Sequence, residues 1–199
     1  MRNTLSRMMS PPRVLVSYAS AAGSTAGIAE RIAEVLRTAG CEVVCRPADP
    51  DADLAGFDAL VLGSAVHDMA WLPSAVTVLH RAVTSGCGPV WCFSVGGVNP
   101  RGRLTWYLAR KEAERVEQQF PSGFIAQEHR VFGGVVDMAD VPLQGRLFYR
   151  LTGARAGDHR DWPAIERWAS SVGAAVLTAT ADKRGAAVPY QPPRPPAAW

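Results

Sequence analysis

The sequence predicts an α/β domain: a doubly wound, five-stranded parallel sheet with helices on both faces. Two observations predict it. Short apolar runs rich in β-branched residues alternate along the chain with segments of helical periodicity. One of those runs, residues 57–64 (FDALVLGS), is apolar without alternation, as a strand covered on both faces must be. The 199 residues fit one domain, and 48% hydrophobic residues are ample for its core.

The chain is organised around residues 13–40. Val14, Leu15 and Val16 form a run too short for a helix, so they read as a buried strand. The small-residue loop Ser20-Ala21-Ala22-Gly23-Ser24-Thr25 follows. Ile28, Ile32, Val35, Leu36 and Ala39 then recur at helical spacing, and Gly40 stands where a helix ends on a left-handed residue. A strand, a hydroxyl-bearing turn and a helix N-terminus make a physical anion site, because the first N–H groups of a helix lack partners and its dipole favours negative charge. The same residues also fit a strand–helix turn with Ser and Thr as ordinary caps. The loop lacks G-x-G-x-x-G and Gly-Lys-Ser/Thr, which argues against an ordinary dinucleotide fold and a nucleoside triphosphate loop. No Lys or Arg lies between Ser17 and Glu30, so a phosphate here would be held by hydroxyls and N–H groups. That suits a phosphate that is bound statically and never transferred.

Ser20 to Thr25 resembles the Thr/Ser-x-Thr-Gly-x-Thr phosphate loop of flavodoxins, with Ala22 replacing one hydroxyl. The resemblance is closer to the flavodoxin-domain family of the menaquinone-dependent protoporphyrinogen oxidases, in which a comparable strand, a loop ending in Gly-x-Thr and a helix open the chain. It covers roughly residues 13–179. It implies strand order 2-1-3-4-5 and a flavin mononucleotide (FMN) cofactor, with Ser20, Ala21, Ala22, Gly23, Ser24 and Thr25 at its phosphate. Ala21 and Ala22 make the loop smaller and less polar than the family pattern.

Residues 42–47 read as the second strand, and the acidic stretch 49–53 as a solvated turn in place of a helix rather than a metal cluster. The third strand ends at Gly63-Ser64, where a Gly-Ser turn lets backbone amides approach a flat ring. The loop beyond it offers Ser64, Ala65, Val66, His67 and Trp71, which the resemblance places beside the isoalloxazine ring. His67 and Trp71 both remain candidates for stacking, and Trp71 also fits packing against a helix over 73–85. The fourth strand, 89–95, runs into Gly96-Gly97-Val98-Asn99. By the resemblance Ser94, Val95, Gly96, Gly97 and Asn99 form the second ring loop, with Arg101 and Arg103 just beyond. A helix follows over 103–120, its mixed charges reading as a solvated face. Residues 124–132 supply the fifth strand, which ends in Gly133-Gly134.

Residues 135–156 form the least generic segment. Leu143, Leu147, Phe148 and Leu151 make an apolar stripe near Arg146, Arg150 and Arg155, describing a short basic amphipathic helix over 143–155. Such a helix fits a membrane surface, a lipophilic ligand, or plain packing on the sheet edge. The resemblance places a comparable insertion here. Asp161 and Pro163 then suit the first positions of a last helix, whose buried stripe is Ile165, Trp168, Ala169, Val172 and Val176.

The domain organisation is a flexible N-terminus at 1–12, an FMN-binding domain at 13–180 that includes the inserted segment, and a Pro-rich disordered tail at 181–199. The four cysteines and four histidines show no metal spacing, so reduced thiols and no metal are expected. A net charge of +3 without a basic block excludes nucleic acid as a partner, and it also differs from the strongly acidic surface typical of electron-shuttling flavodoxins. With no export signal or membrane span, a cytoplasmic location is expected, peripheral to the inner membrane face if 143–155 docks there. The resemblance implies an FMN-dependent oxidoreductase that moves reducing equivalents from a small organic donor to a quinone. No catalytic residue is assigned. An electron-transfer flavodoxin without its own substrate, an NAD(P)H-dependent quinone reductase and a flavin-free binding module remain open.

Overall fold

The computed structural model describes residues 10–96, 103–136 and 157–186. Val14, Leu15 and Val16 are almost fully buried at the sheet centre, because alternate residues of a strand face opposite helical layers. In chain order the elements are β1 (Arg13–Ala19), α1 (Ser24–Thr38), β2 (Glu42–Pro47), β3 (Ala59–His67), β4 (Ala70–Trp71), α2 (Pro73–Thr84), β5 (Val90–Gly96), α3 (Arg103–Glu117), β6 (His129–Gly133), β7 (Val135–Val136), β8 (Gly157–Asp158) and α4 (Trp162–Ala186). The main path is β2-β1-β3-β5-β6, all parallel, with β4 appended antiparallel to β3. Leaving β4 aside, this is the expected order 2-1-3-4-5.

Two cores lie on the two faces. Val14, Val16, Val61, Trp91, Phe93, Val95 and Phe132 face α1 and α4, while Leu15, Leu60, Leu62, Val90 and Cys92 face α2 and Val116 of α3. Ile165, Trp168, Ala169, Val172 and Val176 form the buried stripe of α4, as their spacing predicts. The rings of Phe93, Phe132 and Trp168 lie 5.6–6.3 Å apart, and the Trp168 indole donates to Glu128 Oε2 at 2.9 Å. Local signals hold at the helix ends. Gly40 takes φ 100°, with Gly40 N–H on Arg37 O and Cys41 N–H on Leu36 O, a paired closure that satisfies the last carbonyls of α1. Asp161 caps α4 through Ala164 N–H at 3.2 Å.

Three expectations need correction. Gly63-Ser64 is no turn but strand interior, since β3 continues to His67 and then folds back through Asp68 and Met69, both at positive φ, into β4. Gly63 serves the core: a Cβ there would run into the Phe93 ring. The fifth strand starts only at His129, where its register with β5 begins opposite Cys92. Finally α4 continues to Ala186, past the expected boundary at 180.

Between β2 and β3 the chain makes side-chain-capped turns, Asp49 Oδ1 accepting from Asp51 N–H and Asp53 Oδ1 from Ala55 N–H. Among the described residues no group of His, Cys, Asp or Glu is placed to hold a metal, and no helix is long and apolar enough to cross a membrane. Residues 1–9, the helix expected over 143–155, the 187–199 part of the tail, and Gly97, Asn99 and Arg101 lie outside the described residues, and so does the side chain of Arg103. The strands on either side of residues 137–156, β7 and β8, pair with each other (Val135 with Asp158, Val136 with Gly157).

Candidate functional site at the carboxyl edge of the sheet

Every long strand of a parallel sheet delivers its last residue to one edge, and here that edge gathers the candidate residues. The order reverses direction between β1 and β3, the switch point beyond which ligands of doubly wound sheets lie. Ala19 pairs with Ser64, so the 20–23 loop begins beside the point where β3 passes beyond β1. Gly23 sits at φ 86°, a left-handed conformation that an L side chain rarely adopts. Its N–H donates to Ser20 Oγ at 3.0 Å, which ties the loop into a tight turn.

The helix that follows starts without a side-chain cap and without an acidic residue in its first turn. Its orphan N–H groups and dipole are therefore available to an anion. Thr25, the second residue of the same helix, is fully buried, and its Oγ1 has no hydrogen-bond partner. A buried hydroxyl without a partner costs on the order of 1–3 kcal/mol, and no protein atom among the described residues satisfies this one. Ala21, Ala22 and Gly23 are exposed, while Ser20 and Ser24 are half-buried.

The β5 and β6 ends close on this loop. Gly134 N–H donates to Gly96 O at 2.9 Å, and a Cβ on Gly134 would meet Val95 Cγ1 at 2.9 Å and Ser24 Oγ at 3.1 Å. Gly134 thus lets the end of β5 and the 20–25 loop approach each other. On the β3 arm, Ala65 and Val66 are half-buried and His67 is exposed. Val95 and Gly96 are buried at the end of β5.

Trp71, Ser64 and Ser94 have different work. Trp71 is only 3% exposed and packs against Phe120 at 5.0 Å, so its ring faces the core rather than the edge. Of the two stacking candidates, His67 is the one at the surface. Ser64 Oγ accepts from Leu72 N–H and donates to Ala65 O, fastening the hairpin. Trp71 Nε1 donates to Ser94 Oγ at 2.7 Å, and Ser94 Oγ lies 2.8 Å from His129 Nε2. Glu117 Oε1, 2.8 Å from Nδ1, only accepts, so Nδ1 carries the proton of the neutral ring and Nε2 accepts from Ser94 Oγ. Burial lowers the His129 pKa more than Glu117 raises it, which keeps the ring neutral in this chain. Ser94 is fully buried. The serine–histidine–glutamate series is therefore a structural strut, closed to substrate.

Two residues at the edge enter with the structure: Arg160, to which the sequence gives no role, and Glu112, expected with its charged neighbours on the solvated face of α3 but turned inward and buried there. Arg160 forms a two-pronged pair with Asp158 (2.9 and 2.6 Å) and stacks on Trp162 at 4.6 Å. Its free Nη1 lies 2.9 Å from where a Cβ on Gly27 would stand, beside the first turn of α1. The loop has no cation of its own, yet the fold supplies one from 137 positions downstream of Gly23. Glu112 of α3 is 8% exposed, its Oε1 unpartnered, and a Cβ on Gly96 would collide with its carboxyl. Desolvation raises its pKa to about 7. No local pattern marks either residue, because both gain meaning from strand order alone. The hollows found elsewhere, one of about 320 Å³ lined by Gly56, Phe57, Arg81 and Gly86, do not include this edge.

These features coincide with what comparison shows. The family model described as a flavodoxin domain matches residues 15–161, and the chain belongs to that flavodoxin-domain family. Among solved structures, a flavodoxin from the domain Archaea is similar over 83% of this chain and 99% of its own, at 13% identity and a TM-score of 0.50. The flavodiiron protein from Giardia intestinalis is similar over 89% of this chain at 13% identity and a TM-score of 0.53, and this chain spans 39% of it. Rubredoxin oxygen:oxidoreductase from Desulfovibrio gigas gives 85%, 18% and 0.51, with 37% of its length spanned. At such identities these likenesses show the fold, α/β and flavodoxin-like. No curated protein matches the sequence.

Proposed function

We propose that the chain binds FMN at the carboxyl edge and works as an FMN-dependent oxidoreductase. One observation carries the proposal: Thr25 Oγ1 is buried and unpartnered at the start of an uncapped helix, directly after a glycine-fixed turn. A phosphate monoester supplies the acceptors that this hydroxyl and the orphan N–H groups lack. Ser20, Gly23, Ser24 and Thr25 would hold the phosphate, with Ala21 and Ala22 forming the loop's outer wall. Ala65, Val66, His67, Val95 and Gly96 would border the ring, and Gly97 and Asn99 belong to the same loop in sequence. Bound there, FMN supplies the electron-accepting and electron-donating chemistry that no side chain has. The protein's own part is to fix the phosphate, exclude water beneath the ring and set the polarity around it.

The finer reading is a quinone-linked oxidation of the protoporphyrinogen oxidase type. What supports it is the sequence resemblance of the phosphate loop and of the insertion between β7 and β8, together with a net charge of +3 in place of an acidic docking face. A small organic donor and a quinone are then the partners, with residues 143–155 meeting a membrane surface. The test is reconstitution with FMN followed by anaerobic mixing with protoporphyrinogen and a menaquinone analogue. Bleaching of the flavin by the donor and recovery on adding quinone is the expected result. A flavin that stays oxidised with the donor, yet is reduced by a protein partner, points instead to an electron-transfer role.

A further inference from the structure

Glu112 stands out among the buried ionisable groups because no group of the described residues answers its Oε1. Its Oε1 has no hydrogen-bond partner, while the space its carboxyl fills exists only because residue 96 is glycine. Gly96 is the last residue of β5 and accepts from Gly134, which in turn lies against Ser24 of the phosphate loop. The acid therefore sits at the edge where the ligand would lie. An orphaned carboxyl is costly to bury and is retained where a partner arrives from outside.

Among the described residues it has no counter-charge. β4 carries no titratable residue, and β5 carries the buried thiol of Cys92. On β6, His129 is engaged by Glu117 and Ser94, and Arg130 pairs with Glu128 at 3.0 Å. On α3 itself, Arg110 and Lys111 pair with Glu114, and Arg115 and Glu117 are exposed. Burial alone thus favours the neutral acid, which is both a donor and an acceptor.

We propose that Glu112 is a proton-holding group of the ligand site: its neutral carboxyl donates a hydrogen bond to the polar edge of the bound flavin ring. This rests on the FMN reading above. Where the free protein carries the carboxylate, binding takes up one proton from water, so carboxylate, proton and FMN combine into the neutral-acid complex. Affinity then falls as pH rises through the range in which free Glu112 ionises.

The test compares FMN dissociation constants of wild type and Glu112→Gln from pH 6 to 8, together with a carbon-13 NMR titration of the Glu112 carboxyl with and without FMN. The FMN phosphate titrates alike in both proteins and cancels in the ratio. Between pH 6 and 8, wild type loses roughly tenfold in affinity relative to Glu112→Gln, whose amide mimics the neutral acid, and FMN moves the Glu112 midpoint upward. Equal pH dependence in the two proteins, or a midpoint unmoved by FMN, overturns the inference while leaving the FMN reading intact. Failure of wild type to bind FMN at any pH overturns both.

Discussion

Trp71 Nε1 donates to Ser94 Oγ across 2.7 Å, and this bond turns the indole away from the ligand edge. Trp71→Phe keeps most of the ring bulk but removes the donor. The variant should lose about 1–2 kcal/mol in urea denaturation, with FMN affinity unchanged. A marked loss of FMN affinity would instead mean that the indole contacts the flavin.

Thr25 separates stability from function. Thr25→Ala removes a hydroxyl that has no partner in the protein, so the free protein should be as stable as wild type or more so. Its FMN affinity should fall about 10–100-fold, the value of one hydrogen bond to a charged group. Parallel thermal melts and flavin fluorescence titrations read both effects.

Glu112 makes stability fall with pH. Its pKa rises on folding to about 7 from the ordinary carboxylate range, so its contribution is complete below the unfolded value and is lost as pH rises through about 7. The loss is on the order of 3 kcal/mol. Urea denaturation of the free protein at pH 4 and pH 8 should therefore show a smaller drop in Glu112→Gln than in wild type. An equal drop would show that the carboxyl ionises freely in the folded chain.

The sheet was legible because its strands obey local rules: the Val14–Val16 run, the unbroken 57–64 stretch and the α4 stripe all pack where their spacing puts them. The strand–turn–helix of residues 13–40 was legible for the same reason, as its parts are contiguous. The β3–β4 hairpin was not, because Asp68 and Met69 carry none of the glycine that usually marks two residues at positive φ. Nor could Trp71 be told from a surface aromatic before Ser94 and His129 were beside it. Arg160 and Glu112 reach the site from α4's approach and from α3, and only the crossover order brings them there.

Gly63 and Phe93 test that packing. Gly63→Ala drives a methyl group into the Phe93 ring, a clash costing about 1–3 kcal/mol or more. Adding Phe93→Leu should recover part of that loss, measured as a non-additive double-mutant cycle. Strict additivity would mean that the two sites do not compete for the same space.

The central claim is that the uncapped α1 N-terminus holds a phosphate. The most direct measurement is calorimetric titration of the purified free protein with FMN and, separately, with riboflavin, which differs only in lacking the phosphate. One FMN should bind per chain, with riboflavin weaker by at least about tenfold. Equal affinities for the two, or binding of neither, would contradict the account.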